Sequence, residues 1–365
     1  EIIKMEKLNL KASLNNQDNK EVSRIEPVRL EELDALRGIA AMLVVFFHYT
    51  MAMPSKSIFW ELGVTGVDLF FIISGFVIYM SIKNETSARR FLLKRFFRLF
   101  PTYWIIVTFT SLLYFIPGHL IEVPMSLERY LYNLTMFQSY FDVPDIDGPY
   151  WTMIIELLFY FIIALLLFLK KMAYIMPVGY FLLSLILINE LIIQPIDREL
   201  FTLLFDLADK WCSILIYFPW FFSGIIFYKI YTNGPSWKLN AGVIICFLTI
   251  ILIFQNTGKS NGYIFFPQYL FMISLYFGAF ILLVKNKLSI IVNPITLYLG
   301  KISFPLYLIH QYIGIYIISA YLCKTLHVDR VQALIISVVI SILLASLVMK
   351  YIEQPCIRFY RNKWG

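Results

Sequence analysis

Ten apolar runs, distributed along almost the whole of a 365-residue chain, leave few folds open. They cover approximately 35–53, 64–82, 99–116, 151–169, 174–193, 211–231, 241–254, 267–284, 302–322 and 331–351. Most have the length that a helix needs to cross a hydrocarbon core of ~30 Å. In lipid each backbone N–H and C=O must find its partner inside the structure, and runs of this length do so as helices. The predicted fold is an all-α polytopic membrane protein, a bundle of about ten transmembrane helices. Composition agrees: 59% of residues are hydrophobic and only 15% charged, with a mean hydropathy of +0.72, which excludes an ordinary soluble domain. The seventh run is short and is expected either to extend into its polar flanks or to be partly re-entrant.

Three regions follow from this pattern. Residues 1–32 read as a polar N-terminal arm, 33–355 as the transmembrane domain, and 356–365 as a short tail with no further domain attached. The arm carries mixed charge, and no small-residue cleavage site follows the first apolar run, so a secretory leader is not expected. Of the 31 Lys and Arg residues, all but seven fall on one side if the N-terminus is inside; the exceptions include Arg129, Arg198, Lys210 and Arg330. The positive-inside rule then predicts both termini in the cytoplasm, as an even number of spans requires. The net charge of +7 therefore reflects topology and lipid contact, not nucleic acid. Two outer segments exceed turns. In 117–150, Leu127, Leu131 and Leu134 form one stripe of a helix lying on the membrane face. Residues 194–210 are acidic.

The first span, LDALRGIAAMLVVFFHYT, carries Arg37 and His48 eleven residues apart. That is ~16 Å along the axis and close to three full turns, so both side chains occupy one face at different depths. Ionisable groups are costly in lipid, and each is a functional candidate. The plainer alternative is a snorkelling arginine and a hydrogen-bonded packing histidine. Asp68 in GVDLFFIISGFVIY and Glu156 in YWTMIIELLFY fall at the outer level of His48. A carboxylate that fixes the tautomer of a histidine prepares it to take a hydroxyl proton. Alternatively, these carboxylates cap helix starts or pair with Lys.

On the inner side, ARRFLLKRFFRLFPTYW concentrates positive charge. Arg95 and Arg98 are three residues apart and share a face, and paired guanidinium forks suit phosphate oxygens. Arg89, Arg90 and Lys94 fit a flank attracted to anionic membrane lipid. His310 falls near mid-membrane with Tyr307 one turn earlier, and the two can line a polar channel or pack in the core. Trp151, one turn before Glu156, belongs to the same candidate channel. Glu353 either pairs with Arg37 or Arg98 or ends the last helix before Pro355. No His, Cys or carboxylate spacing suggests a metal site, and the four cysteines are scattered. A phosphate-binding cluster inside and a general base outside suit a donor with an anionic head and a long reactive arm. Acyl-coenzyme A has that shape.

The same residues carry a resemblance. LDALRGIAAMLVVFFH resembles the Arg-x10-His signature of membrane acyltransferase family 3, the bacterial O-acetyltransferases of lipopolysaccharide O-antigen, exopolysaccharide and related glycans. GVDLFFIISGFVI, KRFFRLFPTYW, WTMIIELLFY, ISFPLYLIHQ and YIEQP match further family blocks in order, so the resemblance spans about 33 to 360. It implies that His48 is the catalytic residue with Glu156 and Asp68 in support. It also implies that Arg37, Arg95 and Arg98 bind acetyl-CoA from the cytoplasm. The acceptor would be a cell-surface or lipid-linked saccharide, and the location a multi-pass position in the bacterial inner membrane. Members with a C-terminal SGNH-type hydrolase domain exist, and this chain is expected to be of the stand-alone form. The rival reading is a transporter of a glycan, lipid or organic anion without acyl chemistry; intramembrane ionisable residues suit it too, but no inverted repeat or paired broken helix is evident.

Overall fold

The computed structural model describes residues 30–51, 58–83, 85–115, 124–256 and 259–364, and every regular element among them is helical. Ten helices are long and apolar enough to cross a bilayer. We label them with two shorter amphipathic helices in chain order. The spans are α1 Glu31–Thr50, α2 Leu62–Ser81, α3 Ala88–Leu113, α5 Gly148–Phe168, α6 Met172–Ile196, α8 Ile214–Asn233, α9 Trp237–Gln255, α10 Phe266–Val284, α11 Pro294–Lys324 and α12 Arg330–Trp364. The amphipathic pair are α4 Leu127–Thr135 and α7 Arg198–Cys212. The chain is a multi-pass membrane protein, and the ten expected spans correspond one to one. The seventh, α9, extends into both polar flanks. The arm to Arg29, Lys56 and residues 116–123 of the first outer segment lie outside the described residues.

Helix starts follow local chemistry. Ser87 caps α3 by accepting the Arg90 amide at 3.3 Å, and Ser126 caps α4 by accepting that of Arg129 at 3.0 Å. Asp197 does the same for α7 at 2.9 Å from the Leu200 amide. Asn293 opens α11 with Pro294 at its first position and accepts the Ile295 and Thr296 amides at 3.0 Å. Two helix boundaries differ from expectation. The third span was expected from residue 99, but its helix α3 begins at Ala88, so the basic stretch 88–98 forms its first turns. At the other end, residues 356–364 continue α12 past Pro355 and pack on α3.

With lipid as solvent, close packing and not water exclusion holds helices together, and small residues allow it. A Cβ on Gly300 of α11 would lie 2.0 Å from the Asp34 carbonyl oxygen of α1, and one on Gly38 would lie 2.5 Å from that of Thr296. The backbones of α1 and α11 thus touch. This crossing sets Arg37 and His48 against α11. Large side chains such as Phe109, Leu165 and Phe168 face outward to lipid. α4 turns Leu127 and Leu131 outward, as its stripe predicts, and α7 exposes Leu200, Leu203, Leu207 and Trp211. The acidic outer segment is therefore an amphipathic helix, which its charge count had hidden.

Candidate functional site

Two cavities lie along α1, α2, α5 and α11. The first, about 750 Å³, is lined by Arg37, Arg95, Arg98, Ser74, Glu156 and Tyr160 among others. Arg95 is buried; it donates to Ser81 Oγ, and its guanidinium carbon sits 5.4 Å from the Phe91 ring centre and 5.6 Å from that of Tyr160. The Tyr160 hydroxyl donates to Glu156 Oε1, which also accepts Ser74 Oγ at 3.3 Å. Arg37 reaches Asp34 at 3.3 Å within α1. Among the described residues Arg95 and Arg98 form no ion pair, and Arg95 Nε is buried without a partner. Cations this deep are costly unless an anion meets them, and the one carboxylate lining this cavity among the described residues is that of Glu156.

The second cavity, about 1090 Å³, is lined by His48, Asp68, Trp151, Tyr217, Trp220 and Tyr269 among others. Val67 and Tyr307 line both cavities. The Tyr307 hydroxyl is fixed at this shared wall by Thr152 Oγ1 and the Pro149 carbonyl, each at 2.9 Å. Asp68 is buried and hydrogen-bonded to Tyr269, with Oδ2 left without a partner; Trp220 Nε1 is also buried and unpartnered. The rings of Trp151 and Tyr217 lie 5.5 Å apart, and those of Tyr217 and Trp220 5.9 Å apart. The wall thus combines broad aromatic faces with a few polar atoms.

A second imidazole holds His48. His310 Nδ1 lies 2.8 Å from the Tyr307 carbonyl oxygen, which can only accept, so Nδ1 carries the proton. Neutral His310 then has an acceptor at Nε2, 3.1 Å from His48 Nδ1. His48 Nδ1 therefore donates, shared between His310 Nε2 and the Val44 carbonyl at 3.0 Å. The lone pair of neutral His48 is left on Nε2. This assignment rests on the two carbonyl acceptors and not on any observed hydrogen.

His310 owes its place to a break in α11. From His310 to Ser319 the helix widens to π spacing, five residues after Pro305. The Tyr312 amide donates to Asp147 Oδ2 at 3.0 Å, and the Leu308 carbonyl accepts the Tyr150 hydroxyl at 3.4 Å. These are the two ends of what would be a single α-helical bond. The segment before α5 thus clamps the widened turn. Arg129 of α4 steadies that segment through the Pro144 and Asp145 carbonyls. Burial pushes the Asp147 carboxyl up to about 7, against the amides of Tyr312 and Gly148.

The expected site residues divide between these places. Arg37, Arg95 and Arg98 share the first cavity; His48, Asp68 and Trp151 share the second. Glu156, expected beside His48, lies instead with the arginines. The ring that bonds His48 is His310, expected in a channel wall but fully buried behind it. Glu353 does not end the last helix: it is buried in a π turn, with Arg98 and Arg37 its nearest charges. Asp147 and Tyr150 had no signal beyond a Pro-Gly-containing loop.

The comparisons bear on what such a pair of cavities does. The sequence profile described as Acyltransferase domain matches residues 30–350. The chain belongs to this acyltransferase family. Similar proteins include one provisionally named acetyltransferase ORF330 of Acidianus two-tailed virus, 25% identical over 281 residues, covering 75% of this chain and 80% of that one. Nodulation protein 10 of Rhizobium leguminosarum bv. viciae is 27% identical over 161 residues, 37% of this chain and 43% of its own. Peptidoglycan O-acetyltransferase OatA of Listeria monocytogenes is 26% identical over 171 residues, 41% of this chain and 26% of its own. No solved structure matches. All the candidate residues of both cavities fall within the span matched to the acyltransferase family.

Proposed function

We propose that the chain transfers an acetyl group from acetyl-CoA, bound from the cytoplasmic side, to a hydroxyl of a cell-surface or lipid-linked saccharide on the outer side of a bacterial inner membrane. One observation carries this reading: the arginine cavity and the imidazole cavity have Val67 and Tyr307 as common walls. A thioester arm reaching past Tyr307 would bring its carbonyl from the phosphate-binding side to His48. Acyl-family membership supports the group transferred, and the positive-inside bias supports the direction.

The chemistry then follows from the imidazole pair. His48 Nε2 takes the proton of the acceptor hydroxyl. That oxygen attacks the thioester carbonyl, forming the ester C–O bond, and the C–S bond breaks with its electrons left on sulfur. The imidazolium returns its proton to the thiolate, so coenzyme A leaves as the thiol. His310 keeps the Nδ1 proton of His48 in place throughout. Arg95 and Arg98 hold phosphate oxygens through their forks, with Arg37 adding charge at the same mouth. An O-antigen or exopolysaccharide unit suits the outer cavity, since the apolar faces of sugar rings pack on Trp151, Tyr217 and Trp220 while Asp68 accepts a hydroxyl.

The test is incorporation of labelled acetyl from acetyl-CoA into glycan by membranes carrying the protein. His48→Ala and Arg37→Ala should each abolish it with the protein still folded. Full incorporation by either variant would remove that residue from the reaction. A transporter, by contrast, should neither hydrolyse acetyl-CoA nor exchange its acetyl group.

A further inference from the structure

A third cavity, about 850 Å³, lies beneath the amphipathic helix α7 and among α6, α8 and α9. Its walls are mostly apolar, including Ile186, Ile193, Phe205 and Leu215, with Asn189 and Glu190 the polar exceptions. Its rim carries Leu185 and Ile188, each 44% exposed on the outer surface of α6. Its inner wall is Ile216 and Ile253, and these same two side chains line the cavity of His48. One polar atom stands out: Asn189 Oδ1 is buried with no partner among the described residues. An apolar slot that opens toward lipid at one end and backs onto the reaction cavity at the other is shaped for a chain, not a sugar.

We infer that this slot holds the apolar tail of the acceptor, which is therefore an amphiphile with a hydroxyl-bearing saccharide head. The tail enters past Leu185 and Ile188 and lies under Leu204 and Ala208 of α7. The head then sits beyond Ile216 and Ile253, beside Asp68 and Trp220. Asn189 Oδ1 accepts a donor where tail meets head. A bulk phospholipid would keep its head at the membrane surface and gain nothing from the reaction cavity; the adjacency of the two cavities at Ile216 and Ile253 is what selects the acceptor. The inference rests on the acyl-transfer reading for the role of the head, but its readout is binding.

The probe is a hexadecyl maltoside with a mid-chain diazirine, present in trace amounts in phosphatidylglycerol vesicles containing the full chain. After irradiation, label should concentrate in peptides carrying residues 185–193 and 204–216. Excess unlabelled hexadecyl maltoside should remove it, whereas maltose should not. Ala208→Trp, which fills the slot, should lower this label about tenfold while leaving lipid-facing label on α3 and α10 unchanged. Coenzyme A binding checks that the variant is folded; Leu204→Trp at the rim serves if it is not. Label spread evenly over all outward faces, or undiminished by either variant, would overturn the tail site. Failure of acetyl incorporation in the preceding experiment would overturn the acyl-transfer reading alone, so the two can fall separately.

Discussion

His310 Nε2 lies 3.1 Å from His48 Nδ1, across 262 residues of chain, and the Tyr307 carbonyl decides which ring donates. The pair does for His48 what a carboxylate was expected to do: it fixes the tautomer. An imidazole does so without adding negative charge to a site buried in the membrane. It thereby avoids the desolvation cost of a second ionised group.

If His310 fixes that tautomer, His310→Ala should lower kcat for acetyl transfer by about 10²-fold or more, the scale of a misplaced general base. The KM for acetyl-CoA should stay close to wild type, because His310 does not line the arginine cavity. Steady-state kinetics on vesicle-reconstituted protein separates the two parameters. An unchanged kcat would reduce His310 to packing.

The arginine cavity makes the opposite split. Arg95→Lys and Arg98→Lys keep the charge but lose the fork, and should raise KM for acetyl-CoA about tenfold with a smaller effect on kcat. Binding of coenzyme A alone, measured by calorimetry in detergent, should weaken in parallel. Weakened transfer with unaltered coenzyme A binding would place the donor elsewhere.

Asp147 gives a pH signature. Its folded carboxyl titrates at about 7, raised by burial, whereas an unfolded Asp titrates near ~3.9. The folded state thus holds the proton more tightly. The contribution to stability is full below ~4, falls as pH rises, and is gone above about 7. Asp147→Asn keeps an acceptor for the Tyr312 amide and should abolish that fall. Thermal melting of both proteins across this window tests it; parallel curves would contradict the assignment.

The α1–α11 crossing admits no side chain. Gly300→Ala sets a Cβ 2.0 Å from the Asp34 carbonyl and must push the helices apart. The expected cost is about 1–3 kcal/mol of stability, the scale of overpacking, together with reduced transfer as His310 withdraws from His48. Melting temperature and activity should fall together; loss of neither would mean the crossing tolerates a methyl group.

Part of this was legible in the sequence. Ten spans, the stripe of Leu127 and Leu131, and the common face of Arg95 and Arg98 follow from short-range pattern, while the grouping of Arg37 with those two was implied by the family resemblance. Glu156 lies apart from His48 because depth in the membrane is a weak coordinate: Trp151 lines the cavity of His48, whereas Thr152 and Glu156, just beyond it on α5, line that of the arginines. The slot beneath α7 was missed because the charges of 194–210 outweighed its apolar stripe.

What the sequence determined by itself is what the regular rise and turn of a helix determine. Eleven residues put Arg37 and His48 on one face, three put Arg95 beside Arg98, and apolar length made each run a span. What only the tertiary structure decided is which helices meet. The α1–α11 crossing at Gly38 and Gly300, and a helix widened at His310 and held by Asp147 and Tyr150, bring one imidazole to the other. Those contacts depend on packing between segments hundreds of residues apart, and no local periodicity records it.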